Sequence, residues 1–390
     1  RSDYGLAYEC RSDAARMAER TGDEALALRS RLVGAASDLA RELPGARERT
    51  VAIVEDARSA GLDELASTGY STIAYLDVEQ RRLSAAERLL EESLVFTVER
   101  DIPICNHWQT AIRARLRHLE GRWDAALEDA DAVLVRRGMP LATFWPHVVH
   151  GLVAVRRGED PGDHLDAAWE LACQLDEPLR RLAALSALAE TMWLTGTPDE
   201  RVLREAPREL ADAAGATTAW SVGELAVWLG RLDLPVEVAP EDVAEPYRDM
   251  LAGRYREAAS WWGRTRAVVE EAMCHTETDD LERRFAGVER LELHGAVAVA
   301  DRVRRSLRQE GVTNLPPRPR ATTRANPAGL TNRQLDVAKL VARGLTNAEI
   351  SDRLFISPKT TDHHVSAVLM KLGMASRRAV IVQASELGLA

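Results

Sequence analysis

The sequence predicts an all-α protein in two parts, an array of helical hairpins and, across a proline-rich connector, a compact four-helix unit. Three observations carry this. Residues 1–312 are rich in Ala, Leu, Arg and Glu and show almost no β-branched alternation, which favours helix over strand. A short glycine, arginine, aromatic, alanine pattern recurs along that stretch. The last sixty residues pack four helix starts and two helix stops into close order.

In the first part, GRWDAALEDA at 121–130 and GRYREAASWW at 253–262 share glycine, arginine, an aromatic and paired alanines. Fainter echoes are RRLSAAERLL at 81–90, TGDEALALRS at 21–30 and PGDHLDAAWE at 161–170. Turn residues near 121, 158, 196 and 230 are spaced 34 to 38 apart, the length of one helix–turn–helix repeat in a tetratricopeptide-like (TPR-like) solenoid. Glycine ends one helix, the aromatic and small residues let the next approach, and stacking buries what a lone hairpin exposes. An irregular helical domain with helices of similar length is the competing reading. Residues 1–312 are therefore expected to form a TPR-like sensor or interaction domain. Its nine tryptophans, from Trp108 to Trp262, are expected mainly at hairpin crossings, with a minority on a concave, ligand-binding face.

Residues 313–329 form the connector. Leu315-Pro316-Pro317-Arg318-Pro319-Arg320 and Ala325-Asn326-Pro327 cannot continue a helix and are expected to be extended and mobile. Their arginines either touch DNA, as the arms of other DNA-binding domains do, or simply solubilise a linker.

Residues 330–390 divide into four helices. Thr331 with Gln334 and Thr346 with Glu349 are capping-box pairs. Ser357-Pro358 is an N-cap with proline at the first helical position, and Gly344 and Gly373 sit where helices stop. Only Phe355-Ile356-Ser357 joins the second and third helices, which forces a helix-turn-helix corner. In the third helix Thr361, Val365, Val368, Leu369 and Leu372 make one inward stripe, leaving Lys359, Asp362, His363, Ser366 and Met370 on the opposite face.

Charge separates the same two parts. Residues 313–390 hold 11 Lys+Arg against 5 Asp+Glu, a net +6, whereas the remainder carries 40 against 56, a net −16, for a chain total of −10. A polyanion attracts the first and is repelled by the second. Lys339, Lys359 and Lys371 are the only lysines, so phosphate-binding loops, Schiff-base chemistry and kinase-type lysine–glutamate pairs are excluded from the large part. Cys10, Cys105, Cys173 and Cys274 show no CxxC spacing, which implies a reducing cytoplasm and no structural zinc. No metal is expected: His147 and His150 have i,i+3 spacing but no further ligands, and the neighbours His363 and His364 diverge on a helix. No Ser–His–Asp pattern stands out, and no enzyme is expected. The uncharged run Gly138–Val155 contains two prolines and two histidines and reads as buried helix ends, not a membrane span.

The segments LT-x-R, ARGLTNAEI, LFISPKT, HHVS and KLG-x-x-SR together resemble the helix-turn-helix of LuxR/NarL-type bacterial transcription regulators, across residues 330–390 almost without gaps. The resemblance implies a recognition helix from Lys359 to Met370 and a fourth helix, Arg377 to Leu387, with Val380, Ile381, Ala384 and Leu387 in a dimer contact. Two positions depart from the family pattern: Gln334 replaces a usual glutamate, and Thr361 replaces a usual valine, putting a hydroxyl at a core-facing site. The segment AEPYRDMLAGRYREAASWW, the helical pair after it and PRPRATTRANPAGLT resemble the junction upstream of this unit in large ATP-dependent LuxR-type regulators. No cofactor is expected in this chain. The chain opens on Arg1 and reads as a fragment or processed piece, so an ATPase is expected only upstream.

On a duplex, Lys359, Lys371, Arg353 and Arg377 are expected to contact phosphate, with Thr346, Asn347 and Thr360 adding neutral hydrogen bonds. Asp362, His363 and Ser366 are expected to read bases. Asp362 only accepts, which suits cytosine N4, though its carboxylate also favours the positive helix N-terminus. The implied partners are double-stranded DNA bound as a homodimer, a protein or small-ligand effector on the helical array, and RNA polymerase, with no membrane. The alternative is an interaction scaffold with a degenerate DNA-binding unit.

Overall fold

A computed structural model describes residues 4–136, 139–213, 215, 217–318, 329–374, 376–384 and 389, with side chains from residue 13 onward. Among the described residues there are 22 α-helices and no strand. The chain divides into two compact units, Arg1–Arg284 and Phe285–Ala390.

The first unit holds α1 (Tyr4–Thr21), α2 (Glu24–Ala40), α3 (Ala46–Ser59), α4 (Asp63–Glu79), α5 (Leu83–Glu99), α6 (Pro103–Leu119), α7 (Trp123–Leu134) and α8 (Pro140–Arg157). There follow α9 (His164–Leu175), α10 (Pro178–Thr195), α11 (Glu200–Arg204), α12 (Ala206–Ala213), α13 (Ala219–Arg231), α14 (Glu245–Leu251), α15 (Tyr255–Thr265) and α16 (Val268–Thr276). Neighbours in sequence pack as hairpins, and α2, α4, α6, α8, α10 and α13 also pack on one another in series. Two helices per step bury a continuous core.

The turns explain the regularity. Gly61, Arg81, Asp101 and Gly121 all take positive φ, 70°, 57°, 53° and 72°. The amide after each reaches back to close the helix: Leu62 to the Ala57 carbonyl at 2.9 Å, Arg82 to Asp77 at 2.7 Å, Ile102 to Thr97 at 2.9 Å and Arg122 to Arg117 at 2.9 Å. This is the Schellman C-cap. Arginine is a poor left-handed residue, and Arg81 is held there by its side chain: the buried guanidinium donates to the Glu79 carbonyl at 2.7 Å, to Glu224 at 2.7 Å and to the Tyr247 hydroxyl at 3.0 Å. Of the turn positions read from the sequence, Gly121, Gly158 and Gly196 follow helices at positive φ, but Gly230 lies inside α13, whose left-handed stop is Asp233. The uncharged run also differs from expectation. It supplies one continuous buried helix, α8, with Pro146 inside it. Gly151 lets α9 approach α8, since a Cβ there would fall 2.3 Å from Leu165 Cδ2.

Helices distant in sequence close on each other through charge. Arg81 and Arg115 converge on Glu224, at 2.7 and 3.5 Å. Arg266 pairs with Glu87 at 2.8 Å and also with Glu120, and the Trp220 indole donates to Glu42 at 3.2 Å. Arg156 makes a buried two-point pair with Glu190, at 2.6 and 2.9 Å. Burial pushes Glu224 up, yet Arg115, Arg81 and Arg156 outweigh it and hold the carboxyl below its ordinary range. His118 lies fully buried beside the same arginines, its pKa lowered first by burial and then by their charge. Four tryptophans are buried (Trp123, Trp145, Trp228, Trp262) and the other five are half-buried.

The second unit takes in most of α17 (Leu281–Leu293) and α18 (Val297–Gln309), followed by α19 (Asn332–Ala342), α20 (Asn347–Leu354), α21 (Pro358–Lys371) and α22 (Arg377–Val382). The helical pair α17–α18, placed with the array by sequence, groups with the C-terminal helices. It is clamped by a buried pair, Arg304 to Glu292 at 2.7 and 3.0 Å. Residues 312–318 are non-helical, as their prolines require, but they are tied down. Arg304 donates to the Pro316 carbonyl at 2.8 Å, and Arg318 pairs with Asp301. Arg320, Arg324 and Pro327 lie outside the described residues. Leu330, Val337, Val341, Ile350, Val365, Val368 and Val380 form the core of the last four helices.

Candidate nucleic-acid interface

The caps form as the sequence requires. Thr331 and Gln334 exchange reciprocal bonds at 2.9 and 3.2 Å, and Thr346 and Glu349 do so at 2.6 and 3.3 Å. The Thr346 bonds hold the Glu349 carboxyl below its ordinary range. Ser357 accepts from the Thr360 amide at 3.1 Å and Ser376 from that of Ala379 at 3.3 Å. Gln334 thus performs the capping role despite its missing charge.

Three residues make the corner between α20 and α21. Phe355 ends α20 at φ 53° with its ring 95% exposed, and the Leu354 carbonyl accepts from Arg333. Behind the corner, the Thr361 hydroxyl is completely buried and meets the Ser351 hydroxyl at 2.7 Å, while Ser351 also donates to the Asn347 carbonyl at 2.6 Å. The hydroxyl at the core-facing position therefore has a partner. Nothing in the sequence pattern marked Ser351; a serine ten residues before the threonine gains meaning only when the corner folds.

Along α21, Thr361, Val365, Val368 and Leu372 are buried and Leu369 is half-buried, whereas Lys359, Thr360, Asp362, His363, Ser366 and Met370 are exposed. The three residues expected to read bases thus share one solvent face with Lys359. The expected phosphate contacts divide. Arg353 is exposed on α20. Lys371 is half-buried, donating to the Gly329 carbonyl at 3.0 Å and pairing with Glu289 at 3.4 Å. Arg377 donates to Asn347 Oδ1 at 2.5 Å and to the Leu345 carbonyl, and Asn347 Nδ2 donates to Asp362 Oδ1 at 3.2 Å. Thr346 and Thr360 are engaged in the caps described above. On α22, Val380 is buried and Ile381 is exposed; Ala384, in the turn after it, is half-buried, and Leu387 lies outside the described residues. The fourth helix, expected to run from Arg377 to Leu387, ends at Val382, where Gln383 leaves the helical conformation and caps it.

Elsewhere, His147 Nδ1 lies 3.0 Å from His164 Nδ1, and His150 stacks on His164 with its Nε2 2.9 Å from Asp131 Oδ1. Among the described residues no group of three or more His, Cys, Asp or Glu has metal-binding geometry. No helix there is long and apolar enough to cross a membrane.

A capped four-helix bundle with a three-residue corner and an exposed polar face on its third helix is a helix-turn-helix DNA-binding domain. Residues 328–384 match the luxR family of bacterial regulatory proteins, and the C-terminal domain belongs to that family. The DevR/DosR DNA-binding transcriptional activator of Mycobacterium tuberculosis is 43% identical over 60 residues, 15% of this chain and 28% of that protein. An HTH-type transcriptional regulator of Mycobacterium bovis is 44% identical over 59 residues, 15% of this chain but 7% of its own length. The transcriptional regulatory protein LiaR of Bacillus subtilis is 36% identical over 86 residues, 22% of this chain and 36% of its own. The aligned stretch thus spans well under two thirds of these relatives, and it bears on the C-terminal domain alone.

Proposed function

We propose that this protein is a sequence-specific transcriptional regulator that binds operator DNA as a dimer through α21 and takes an effector on its helical first unit. The observation that carries the reading is the division of α21: a buried Thr361–Val365–Val368–Leu372 stripe fixes the helix, and the opposite face presents Lys359, Asp362, His363 and Ser366 to solvent. That face starts at the helix N-terminus, where a major-groove helix meets base edges. Of the four cations expected on phosphate, Lys359 and Arg353 are exposed. The exposed Ile381 and Val382 support a dimer contact on α22. The relatives' roles, as a transcriptional activator and a transcriptional regulatory protein, agree with the class.

Arg156, Arg231, Glu224, Glu270 and Tyr247 surround a void of about 20 Å³, and Arg156 Nη1 and Glu270 Oε2 have no hydrogen-bond partner among the described residues. Such a void holds one water. A larger effector would bind outside it or part the Arg81–Glu224 seam. RNA polymerase is the further partner that a regulator of this class implies.

Fluorescence anisotropy of the full chain on duplex DNA tests the DNA reading. Affinity should fall steeply between about 50 and 200 mM salt, and Lys359→Ala with Arg353→Ala should weaken it on every sequence. Salt-insensitive or absent duplex binding would remove this reading.

A further inference from the structure

We propose that Arg377 and Asn347 are positioning residues that aim Asp362 at a base amino group, so that the domain selects cytosine where Asp362 faces the major groove. This rests on the DNA-binding reading and deepens it: two side chains that sequence reasoning placed on phosphate are assigned to base choice instead.

The orientation of Asn347 is determined by its neighbours. Arg377 offers only donors and Asp362, ionised, only acceptors. The amide therefore satisfies both only with Oδ1 toward Arg377, at 2.5 Å, and Nδ2 toward Asp362, at 3.2 Å. Arg377 is itself fixed by a second bond, to the Leu345 carbonyl. The chain links the starts of α22, α20 and α21, and it ends on a carboxylate whose Oδ1 is occupied. Oδ2 remains for an outside donor. Asp362 is exposed on the reading face, beside His363 and one turn from Ser366.

A carboxylate in a groove lined by phosphates is repelled unless something compensates it. Here compensation comes from the Arg377 charge, relayed through a polarised amide, and from the helix N-terminus. Held in this way, Asp362 presents Oδ2 to the groove, and the donor it fits is the N4 amino group of cytosine. Arg377 commits two of its N–H donors, and Asn347 its Oδ1 and one amide hydrogen, to this chain, which directs both side chains toward Asp362.

The test selects bound sequences from a duplex library with the full-length chain and measures the salt dependence of affinity in parallel. The wild type should enrich cytosine at one position by at least about fivefold. Asp362→Ala and Asn347→Ala should both flatten that position. Arg377→Gln should flatten it too, without the fall of about 1 in salt slope expected on losing a phosphate contact. The double variant Asn347→Asp with Asp362→Asn restores the hydrogen bond with donor and acceptor exchanged, and should recover part of the preference. This recovery separates positioning from a folding defect. If Asn347→Ala weakens all sequences equally and keeps the cytosine preference, or if Arg377→Gln lowers the slope with preference intact, the relay is overturned and DNA binding stands. A wild-type chain with no salt-sensitive duplex binding overturns both.

Discussion

Replacing Ser351 by alanine and Thr361 by valine, singly and together, probes the hydroxyl pair behind the helix-turn-helix corner. Ser351 has one proton, and the Asn347 carbonyl at 2.6 Å can only accept, so that proton goes there. Thr361 must then donate to Ser351 Oγ across the 2.7 Å contact. The consequence is an asymmetry. Ser351→Ala strands a fully buried donor and should cost about 1–3 kcal/mol. Thr361→Val removes donor and polar surface together, leaves the Ser351 bond intact and should stay within about 0.5–1 kcal/mol of wild type. Once Thr361 is valine, Ser351→Ala should cost much less than it does alone, giving a coupling of at least about 1 kcal/mol. Native-state hydrogen exchange read on the α20 and α21 amides of the full chain measures this directly. Ser351→Ala should speed exchange roughly 5- to 150-fold, the conversion of that free-energy range. Equal costs for the two single variants would refute the proton assignment. A negligible cost for Ser351→Ala would show that Thr361 turns back to the Ser357 carbonyl one turn earlier.

Four further outcomes follow from the same structure. Glu190→Ala removes the two-point partner of buried Arg156, at a cost of up to about 3–5 kcal/mol and a Tm lower by roughly 6–20 °C, while an apolar replacement of both partners should recover most of it; calorimetry giving equal losses for the two variants would contradict this. Gly151→Ala drives a methyl into Leu165 and should cost about 1–3 kcal/mol, read by urea unfolding; a neutral result would mean that α8 and α9 separate freely. Burial, then the neighbouring His164 and His150, lowers His147 to about 4 from its ordinary 6.5, so the unfolded chain binds more protons between these values. Stability of the first unit should therefore be intact above about pH 6.5 and fall towards pH 4, and His147→Gln should flatten that slope in pH-dependent melts. Lys359→Ala should reduce the salt slope of DNA binding by about 1 per domain bound; an unchanged slope in anisotropy titrations would take Lys359 off the phosphate backbone.

What could be read from the sequence is whatever short-range chemistry dictates. Thr331, Thr346 and Ser357 specify helix starts because each cap lies within three residues of the donor it satisfies. The Val365–Val368–Leu372 stripe specifies an inner face because helical periodicity is local. Gly121, Gly158 and Gly196 mark stops for the same reason. Arg81 was not legible as a stop, since its left-handed backbone is held by contacts with Glu224 and Tyr247, far along the chain. Position 230 misled because a glycine inside a well-packed helix looks like any other.

The candidate site divides along the same line. Exposure of Lys359, Asp362, His363 and Ser366 followed from spacing alone. The fates of Lys371, Arg377 and Asn347 did not, because their partners Glu289, Leu345 and Asp362 stand 82, 32 and 15 residues away. The seam of the first unit is the extreme case: Arg81 meets Glu224 and Tyr247 across 143 and 166 residues. Charge composition showed that arginines and glutamates were plentiful, and only folding decided which of them would leave water. That decision is tertiary because a buried ion is stable only when its counter-ion is buried beside it, and no local pattern encodes a partner so far along the chain.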